Sequence, residues 1–529
     1  MRRWNGWGDD AIAYPLHASA VRFLEDRVGA AQPPADIAFG EALASVPTSR
    51  FPSHGLISTD PADRLFHARG QSLPDWVALR SGRIGVFPDG VAYPADEAEV
   101  RELLRYAAAV GACLIPYGGG TSVVGHVNPL PGAAPVLTVD LGRLNRLLRF
   151  DETSGLATFG AGIRGPDLEV QLRSRGFTLG HFPQSFEYST LGGWIATRSC
   201  GQQSLAYGRI ERLFAGGRLE TPVGALDLPP FPASAAGPDL RELVLGSEGR
   251  LGLLTSATVR ATPIPEREEF RAIFFPNWQA GQAAAREIAQ ACVPLSMARL
   301  STPAETEITL ALAGREFLIA TLEQLLALRG VRNDKCLLIL GLSGRAALVR
   351  AARREALAIA SVQGGVHVGE AFGQEWHKSR FRTPYLRNTL WELGYALDTV
   401  ETAADWVAVP QLVRDLEAAL AGALAGVDER VHVFTHLSHL YPHGSSVYTT
   451  CIFRVAPDPD ETLGRWRKLK AAASQAILAC GGTISHQHGV GADHRGYLSA
   501  EKGELGMAVL REFCRTLDPG QVMNPGKLI

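Results

Sequence analysis

The run Pro116-Tyr-Gly-Gly-Gly-Thr-Ser122 carries the clearest chemistry in the chain. It follows an apolar strand pattern, offers three glycines whose amides can face one way, and ends in two hydroxyls, which together make a cradle for an anion. It lacks the Gly-Lys-Ser/Thr ending of a nucleotide-triphosphate loop, so phosphoryl hydrolysis is not indicated. A second glycine run, Gly160-Ala-Gly-Ile-Arg-Gly165, fits the dinucleotide pattern, with Glu187 about 20 residues further on. It follows earlier strands instead of opening the first unit, and Ile163 and Arg164 crowd the place where a pyrophosphate would approach. It reads as a strand-to-helix turn.

The string from His377 to Arg387 (His-Lys-Ser-Arg-Phe-Arg-Thr-Pro-Tyr-Leu-Arg) is a local basic patch. Most of it suits a solvated helix face. Arg387 is the candidate for an anionic substrate, because a planar guanidinium grips a carboxylate or phosphate with two parallel bonds. His432, His436, His439 and His443 suggest a metal at first sight. They lie on a strand followed by a turn, where alternate side chains face opposite ways, so at most two should converge and no metal is expected.

The elements that must hold these groups alternate between short apolar strands and helices, which implies an α+β fold. The N-terminal part has a helical stretch from His17 to Val28 and then a Pro/Gly-broken run. Strands are expected at Gly85–Pro88, Cys113–Pro116, Val136–Val139 and Leu156–Phe159, helices at Glu97–Val110 and Pro166–Arg175, and a half-buried strand at Leu253–Arg260. Beyond Pro263–Pro265, strand-like pieces (Arg271–Phe275, Leu337–Leu342, Tyr448–Val455) mix with Ala-rich helices. The expected division is an N-terminal helical extension (1–83), a first α+β domain (84–265), an inserted mixed cap domain (266–480) and a C-terminal segment returning to the site (481–529).

The 529 residues are 46% hydrophobic and 20% charged, which excludes a largely disordered chain. Fifty-two Lys+Arg against 54 Asp+Glu leave a formal charge of -2, so no global field points to nucleic acid. Seven scattered cysteines without a Cys-x-x-Cys argue against a disulfide framework and for a reducing, cytoplasmic setting. No stretch reads as a signal peptide or a membrane span.

Two further segments complete a specific pattern. Gln184, Ser185, Phe186, Glu187, Tyr188, Ser189 and Thr190 run into a Gly-Gly-Trp turn and Thr197, Arg198, Ser199 and Cys200; Gly246, Ser247, Glu248, Gly249, Arg250, Leu251 and Gly252 run into a strand. With Pro116, Tyr117, Gly118, Gly119, Gly120, Thr121 and Ser122, these resemble the segments with which vanillyl-alcohol-oxidase (PCMH-type) flavoproteins wrap FAD. The tail Asp518-Pro-Gly-Gln-Val-Met-Asn-Pro-Gly526 also suits that class. The resemblance implies a PCMH-type FAD-binding domain and a non-covalent FAD.

Within the class, the chain is similar over nearly its full length to the alkyldihydroxyacetonephosphate synthases. Trp4-Asn-Gly-Trp-Gly8, Gly180-His-Phe-Pro183, Tyr385-Leu-Arg387, Tyr448 at the end of His439-Leu-Tyr-Pro-His-Gly-Ser-Ser-Val-Tyr448, and Ser485-His-Gln-His-Gly-Val-Gly491 carry the likeness. It implies ether-lipid synthesis: the flavin takes electrons from, then holds, the dihydroxyacetone-phosphate carbon of acyl-dihydroxyacetone phosphate while the fatty acid leaves and a fatty alcohol adds, with no external acceptor. Arg299, Tyr448, His486 and His488 are the implied catalytic residues and Arg387 the substrate arginine. A homodimer and peripheral contact with a membrane surface would be compatible with such a lipid enzyme. For Tyr448 to act as acid and base, its phenol would have to fall from about 10 under nearby cations.

One departure stands out. The middle histidine of the family triplet is Gln487 here, which hydrogen-bonds but carries no proton at neutral pH. The rival resemblance is to FAD-dependent 2-hydroxy-acid dehydrogenases, which share the FAD domain and build a metal site from two strand histidines and a loop glutamate. Tyr448 and Gln487 stand at two of those positions, so that metal site is dismantled.

Overall fold

The computed structural model describes residues 2–313 and 316–529. A first small sheet is built on parallel pairing of Gly90–Ala92, Val136–Asp140 and Cys113–Tyr117, with Ile57–Ser58 antiparallel at its edge. The helix Glu97–Val110 supplies its cover. The Asp96 side chain caps the first turn by accepting from Ala98 and Glu99, and Gly111 ends the helix in the left-handed region. Val100, Leu103, Leu104 and Ala107 repeat at helical spacing, so one face is buried with Leu114, Leu137 and Val139.

A second, antiparallel sheet orders Leu147–Asp151, Leu156–Gly160, Leu253–Arg260, Phe214–Thr221 and Gly224–Leu228. Leu253–Arg260 is not half-buried as its alternation suggests. As the central strand it is covered on both faces. Gly85–Pro88 is not a strand either: Gly85 has a φ of +76°, and the Ile84 and Val86 carbonyls are taken by the Arg69 guanidinium instead of a ladder. The run Gly160–Gly165 is a strand-to-helix turn, as expected. A Cβ on Gly162 would stand 1.7 Å from the Leu141 carbonyl oxygen, so close packing explains its glycine.

Seven strands then form one antiparallel sheet in the order Val366–His367, Arg267–Phe275, Cys336–Gly344, Met297–Ser301, His432–Tyr441, Gly444–Arg454 and Tyr395–Asp405. Helices Trp278–Gln290, Ala346–Val362, Val409–Gly422 and Pro459–Ala479 bury their apolar stripes in the core that covers this sheet. Ser301, His436, Tyr448 and Glu401 are successive cross-strand neighbours, so the register sets four polar side chains in one row.

The C-terminal tail returns to the first sheet. Leu114 donates to the Val522 carbonyl at 2.7 Å and Asn524 donates back to Leu114 at 2.8 Å. The Asn524 side-chain amide donates to the carbonyls of His126 and Glu248, tying tail, cradle and the 246–252 segment together. All seven cysteines are free. No described helix is long and apolar enough to cross a membrane.

Candidate active site

One cavity of about 950 Å³ runs from the glycine cradle to the row of polar residues on the seven-stranded sheet. Its cradle end is lined by Pro116, Tyr117, Gly118, Gly119, Gly120, Thr121 and Ser122. The amides of Gly119, Gly120, Thr121 and Ser122 have no partner among the described residues, so they remain available to an anion. The glycines are required by close approach: a Cβ on Gly119 would stand 1.9 Å from the Tyr188 carbonyl oxygen, and one on Gly118 2.2 Å from the Thr190 hydroxyl. Behind the cradle, Ser122 Oγ bonds His126 Nδ1 at 2.8 Å, and a Glu248 carboxylate oxygen lies 3.1 Å from Nε2.

Gln184, Ser185, Ser189, Thr190, Thr197, Ser199, Cys200, Ser247, Glu248, Gly249 and Gly252 also line the cavity. The remaining residues assigned to FAD from the sequence point elsewhere. Phe186 stacks on Phe381 with ring centroids 5.0 Å apart, Tyr188 bonds Tyr385, Arg198 pairs with Glu242, Arg250 donates to the Met523 carbonyl, and Leu251 is core. Glu187, whose carboxyl is pushed above the usual carboxylate range by burial, and Gly246, whose space is closed by the Arg198 side chain, also stay outside the lining. These residues shape the loops. The backbone amides and hydroxyls of the lining set suit a diphosphate and a flat polar ring system, so the residues present fit FAD.

At the other end, Arg299, Arg387, Tyr448, Gln487 and His488 reach the cavity. Arg387 is held by the Gln71 carbonyl at 2.8 Å and lies 4.4 Å from the Trp76 ring centre, which fixes the plane of its guanidinium. Arg299 donates to Glu305 at 2.5 Å and approaches His436 Nδ1 at 3.2 Å. Burial pushes the Glu305 carboxyl up, but His436 and Arg299 hold it at about 2. At neutral pH the partner that counts is Arg299, because burial keeps His436 below the ordinary histidine range. Tyr448 stacks on His436 at 4.8 Å, and its phenol is pushed up to about 12 by burial. The expected fall does not occur: desolvation outweighs the nearby cations, so the site holds a neutral phenol.

His486 departs from expectation. It does not line the cavity; its Nδ1–H donates to Glu401 at 2.9 Å, while Arg209 and Tyr441 each stand 2.7 Å from Nε2. An always-charged guanidinium fixes Nε2 as the acceptor, and burial, then Arg209, hold the ring neutral. His486 is therefore a structural link. His488 is the accessible imidazole of the loop, 3.7 Å from the free carboxylate oxygen of Glu401 and edge-on to Tyr448. Burial also keeps it below the ordinary range.

Of the strand histidines, His436 and His439 both reach the cavity, although their spacing would put them on opposite faces. A register shift between Leu437 and Leu440 turns His439 to the same side. His432 packs against Phe23 and Phe434, and His443 on Tyr441. Glu401, His439 and His486 offer ligand atoms within 4.8 Å of one another, but Arg209 beside His486 already supplies the positive charge there. Sequence reasoning missed Glu401 and Arg209. Neither sits in a motif; a lone carboxylate on an alternating strand was the one available signal for Glu401.

Two family models match: the FAD binding domain over residues 88–226 and the C-terminal domain of FAD linked oxidases over residues 264–528. The chain is 32% identical to the alkyldihydroxyacetonephosphate synthase of Dictyostelium discoideum, over 89% of this chain and 78% of that protein. It is 28% identical to the synthase of Trypanosoma brucei brucei, over 100% of this chain and 92% of that protein. A solved structure of an alkyldihydroxyacetonephosphate synthase superposes with a TM-score of 0.85 at 27% identity, covering 99% of this chain and 98% of the other.

Proposed function

Because the chain belongs to the alkyldihydroxyacetonephosphate synthase family of FAD-linked oxidases, we infer that its cavity exchanges the acyl chain of acyl-dihydroxyacetone phosphate for a fatty alcohol, forming the ether bond of ether lipids. The observation that carries this reading is the single cavity that joins the glycine cradle to Arg299, Arg387, Tyr448 and His488. FAD, when bound, would supply a reversible electron acceptor that returns the electrons within the same cycle, which leaves the exchange net non-redox.

The protein's part is binding, orientation and proton handling. The cradle 116–122 and the hydroxyls of Ser189 and Thr190 are the groups to hold the cofactor. Arg387, with its guanidinium plane fixed by Trp76 and Gln71, grips the substrate phosphate. Tyr448 carries a proton at neutral pH and is the donor facing the substrate carbon. His488 is the neutral base beside it, and Glu401 balances the charge formed when His488 accepts a proton. Arg299, anchored by Glu305, presents positive charge across from Tyr448 through His436.

We divide these duties among the helical extension (1–83), the FAD domain (84–265), the cap (266–480) and the returning segment (481–529). Both lipid substrates partition into bilayers, and helix Glu316–Leu328 exposes Phe317, Leu325 and Leu328 while Leu318, Ile319 and Leu322 line the cavity. That arrangement supports peripheral contact with a membrane at this helix.

The test is Tyr448→Phe. The variant should retain its flavin and lose exchange of labelled alcohol into product, assayed without an electron acceptor. Normal turnover in the variant, or flavin reduction by a 2-hydroxy acid with no exchange in the unaltered protein, would overturn the reading.

A further inference from the structure

The Trp4-Asn-Gly-Trp-Gly8 motif contributes Trp7 to the cavity wall, yet none of the duties above explains its two glycines. Residues 2–9 form a closed loop, with Arg2 and Asp9 bridged antiparallel and Arg3 N donating to the Gly8 carbonyl at 2.8 Å. A closed loop has little freedom left to lose, so what it touches is held in place.

It touches three parts of the site. At one end the Arg2 guanidinium donates to the Gly119 carbonyl and the Tyr117 hydroxyl, both at 3.0 Å, in the cradle. In the middle, the Trp7 ring meets Tyr188 of the 184–190 segment edge-on, with centroids 5.7 Å apart. On the far side the loop clasps the turn that carries Arg387. Trp7 N donates to Asn388 Oδ1 and Asn388 Nδ2 donates to the Trp7 carbonyl, both at 3.0 Å. The Tyr385 hydroxyl accepts from Asp9 N at 3.4 Å and bonds Tyr188 at 2.9 Å.

The glycines are what let the loop come this close. A Cβ on Gly6 would stand 2.5 Å from Asn388 Oδ1, and one on Gly8 2.3 Å from the Tyr385 ring. The Gly6 carbonyl also accepts from Gln71 Nε2 at 3.2 Å. Gln71 in turn receives Trp76 Nε1 at 2.9 Å, and its own carbonyl receives Arg387 at 2.8 Å. Tyr385 and Asn388, which flank Arg387 in the chain, and both supports of its guanidinium therefore lead back to the loop.

We propose that residues 2–9 are a positioning device that sets Arg387 for a phosphate-bearing substrate and ties its position to the flavin cradle. The proposal rests on the reading of Arg387 as the phosphate-gripping residue. Asn388 is the point to test, because its amide supplies the separate acceptor and donor that pair with both backbone groups of Trp7.

The experiment titrates the flavin-loaded, full-length protein with dihydroxyacetone phosphate by calorimetry, with dihydroxyacetone as the phosphate-free control, and measures flavin affinity by fluorescence. Asn388→Ala leaves two buried backbone groups unpaired and should weaken dihydroxyacetone phosphate about tenfold, with flavin affinity unchanged and a rise in KM exceeding any fall in kcat. Arg2→Ala should instead weaken the flavin. If Asn388→Ala does not fold, Asn388→Asp, which keeps the shape and loses the donor, is read in the same way. Arg387→Ala separates the two levels. Weakened phosphate binding in Arg387→Ala with unchanged binding in both folded Asn388 variants would overturn the positioning role alone. Unchanged binding in Arg387→Ala would overturn the phosphate reading and the proposal with it.

Discussion

Replacing Glu401 by glutamine tests the proton handling assigned to His488. The substitution keeps size and leaves an amide oxygen to accept from His486 Nδ1, so the loop keeps its main tether. What is lost is a negative charge 3.7 Å from His488 Nε2. Coulomb's law with an effective dielectric of about 20 puts that charge at ~4 kcal/mol of attraction for a protonated His488. The His488 side chain retains 19% of its exposure, so solvent takes part of this, and about 2 kcal/mol is a working figure. That corresponds to about a 30-fold change in rate. Removing a carboxylate makes the imidazolium less stable, so the His488 pKa falls. The acid limb of kcat/KM against pH should then move to lower pH, while the plateau rate drops about 30-fold. The assay is alkyl exchange over the acid pH range on a variant whose flavin content and thermal midpoint match the parent. An unchanged plateau together with an unmoved acid limb would refute the assignment of Glu401 and His488 as a coupled pair.

Three other variants probe separate parts of the molecule. Gly119→Ala drives a Cβ against the Tyr188 backbone, so the cradle should open and the protein should purify without flavin, read from its absorbance. Glu305→Gln removes a carboxyl whose folded value of about 2 lies below its unfolded value, so its stability contribution is present above about pH 4.5 and fades as pH falls toward 2. The variant should therefore lose about 2 kcal/mol at pH 7, where Arg299 is the charged partner, and match the parent near pH 2, measured by urea denaturation. Phe317→Ser with Leu328→Ser should reduce co-sedimentation with phosphatidylcholine vesicles and leave exchange of a detergent-dispersed substrate unchanged, because both residues are exposed and outside the cavity.

Much of this site is written locally. A glycine cradle is a matter of consecutive residues, since what matters is backbone freedom and amides that face one way, so residues 116–122 were legible as an anion site. The same holds for helix Glu97–Val110, whose cap, apolar spacing and terminal glycine all lie within one stretch. The likeness of the three flavin segments and of the Ser485–Gly491 loop identified the family and FAD, because those runs are contiguous and ordered.

What the tertiary structure decided is which groups meet and which charge they carry there. Strand register, which no local pattern reveals, lines up Ser301, His436, Tyr448 and Glu401 from four separate strands. A shift of one residue between Leu437 and Leu440 brings His439 to the face of His436, against the alternation. His486 and His488 look equivalent in the sequence. Only the fold sets Arg209 and Tyr441 against one and leaves the other open to the cavity, and only burial keeps Tyr448 protonated where nearby cations suggested ionisation. Desolvation and pairing depend on neighbours hundreds of residues away, so chemistry that was named residue by residue in the sequence received its protonation and its direction from packing.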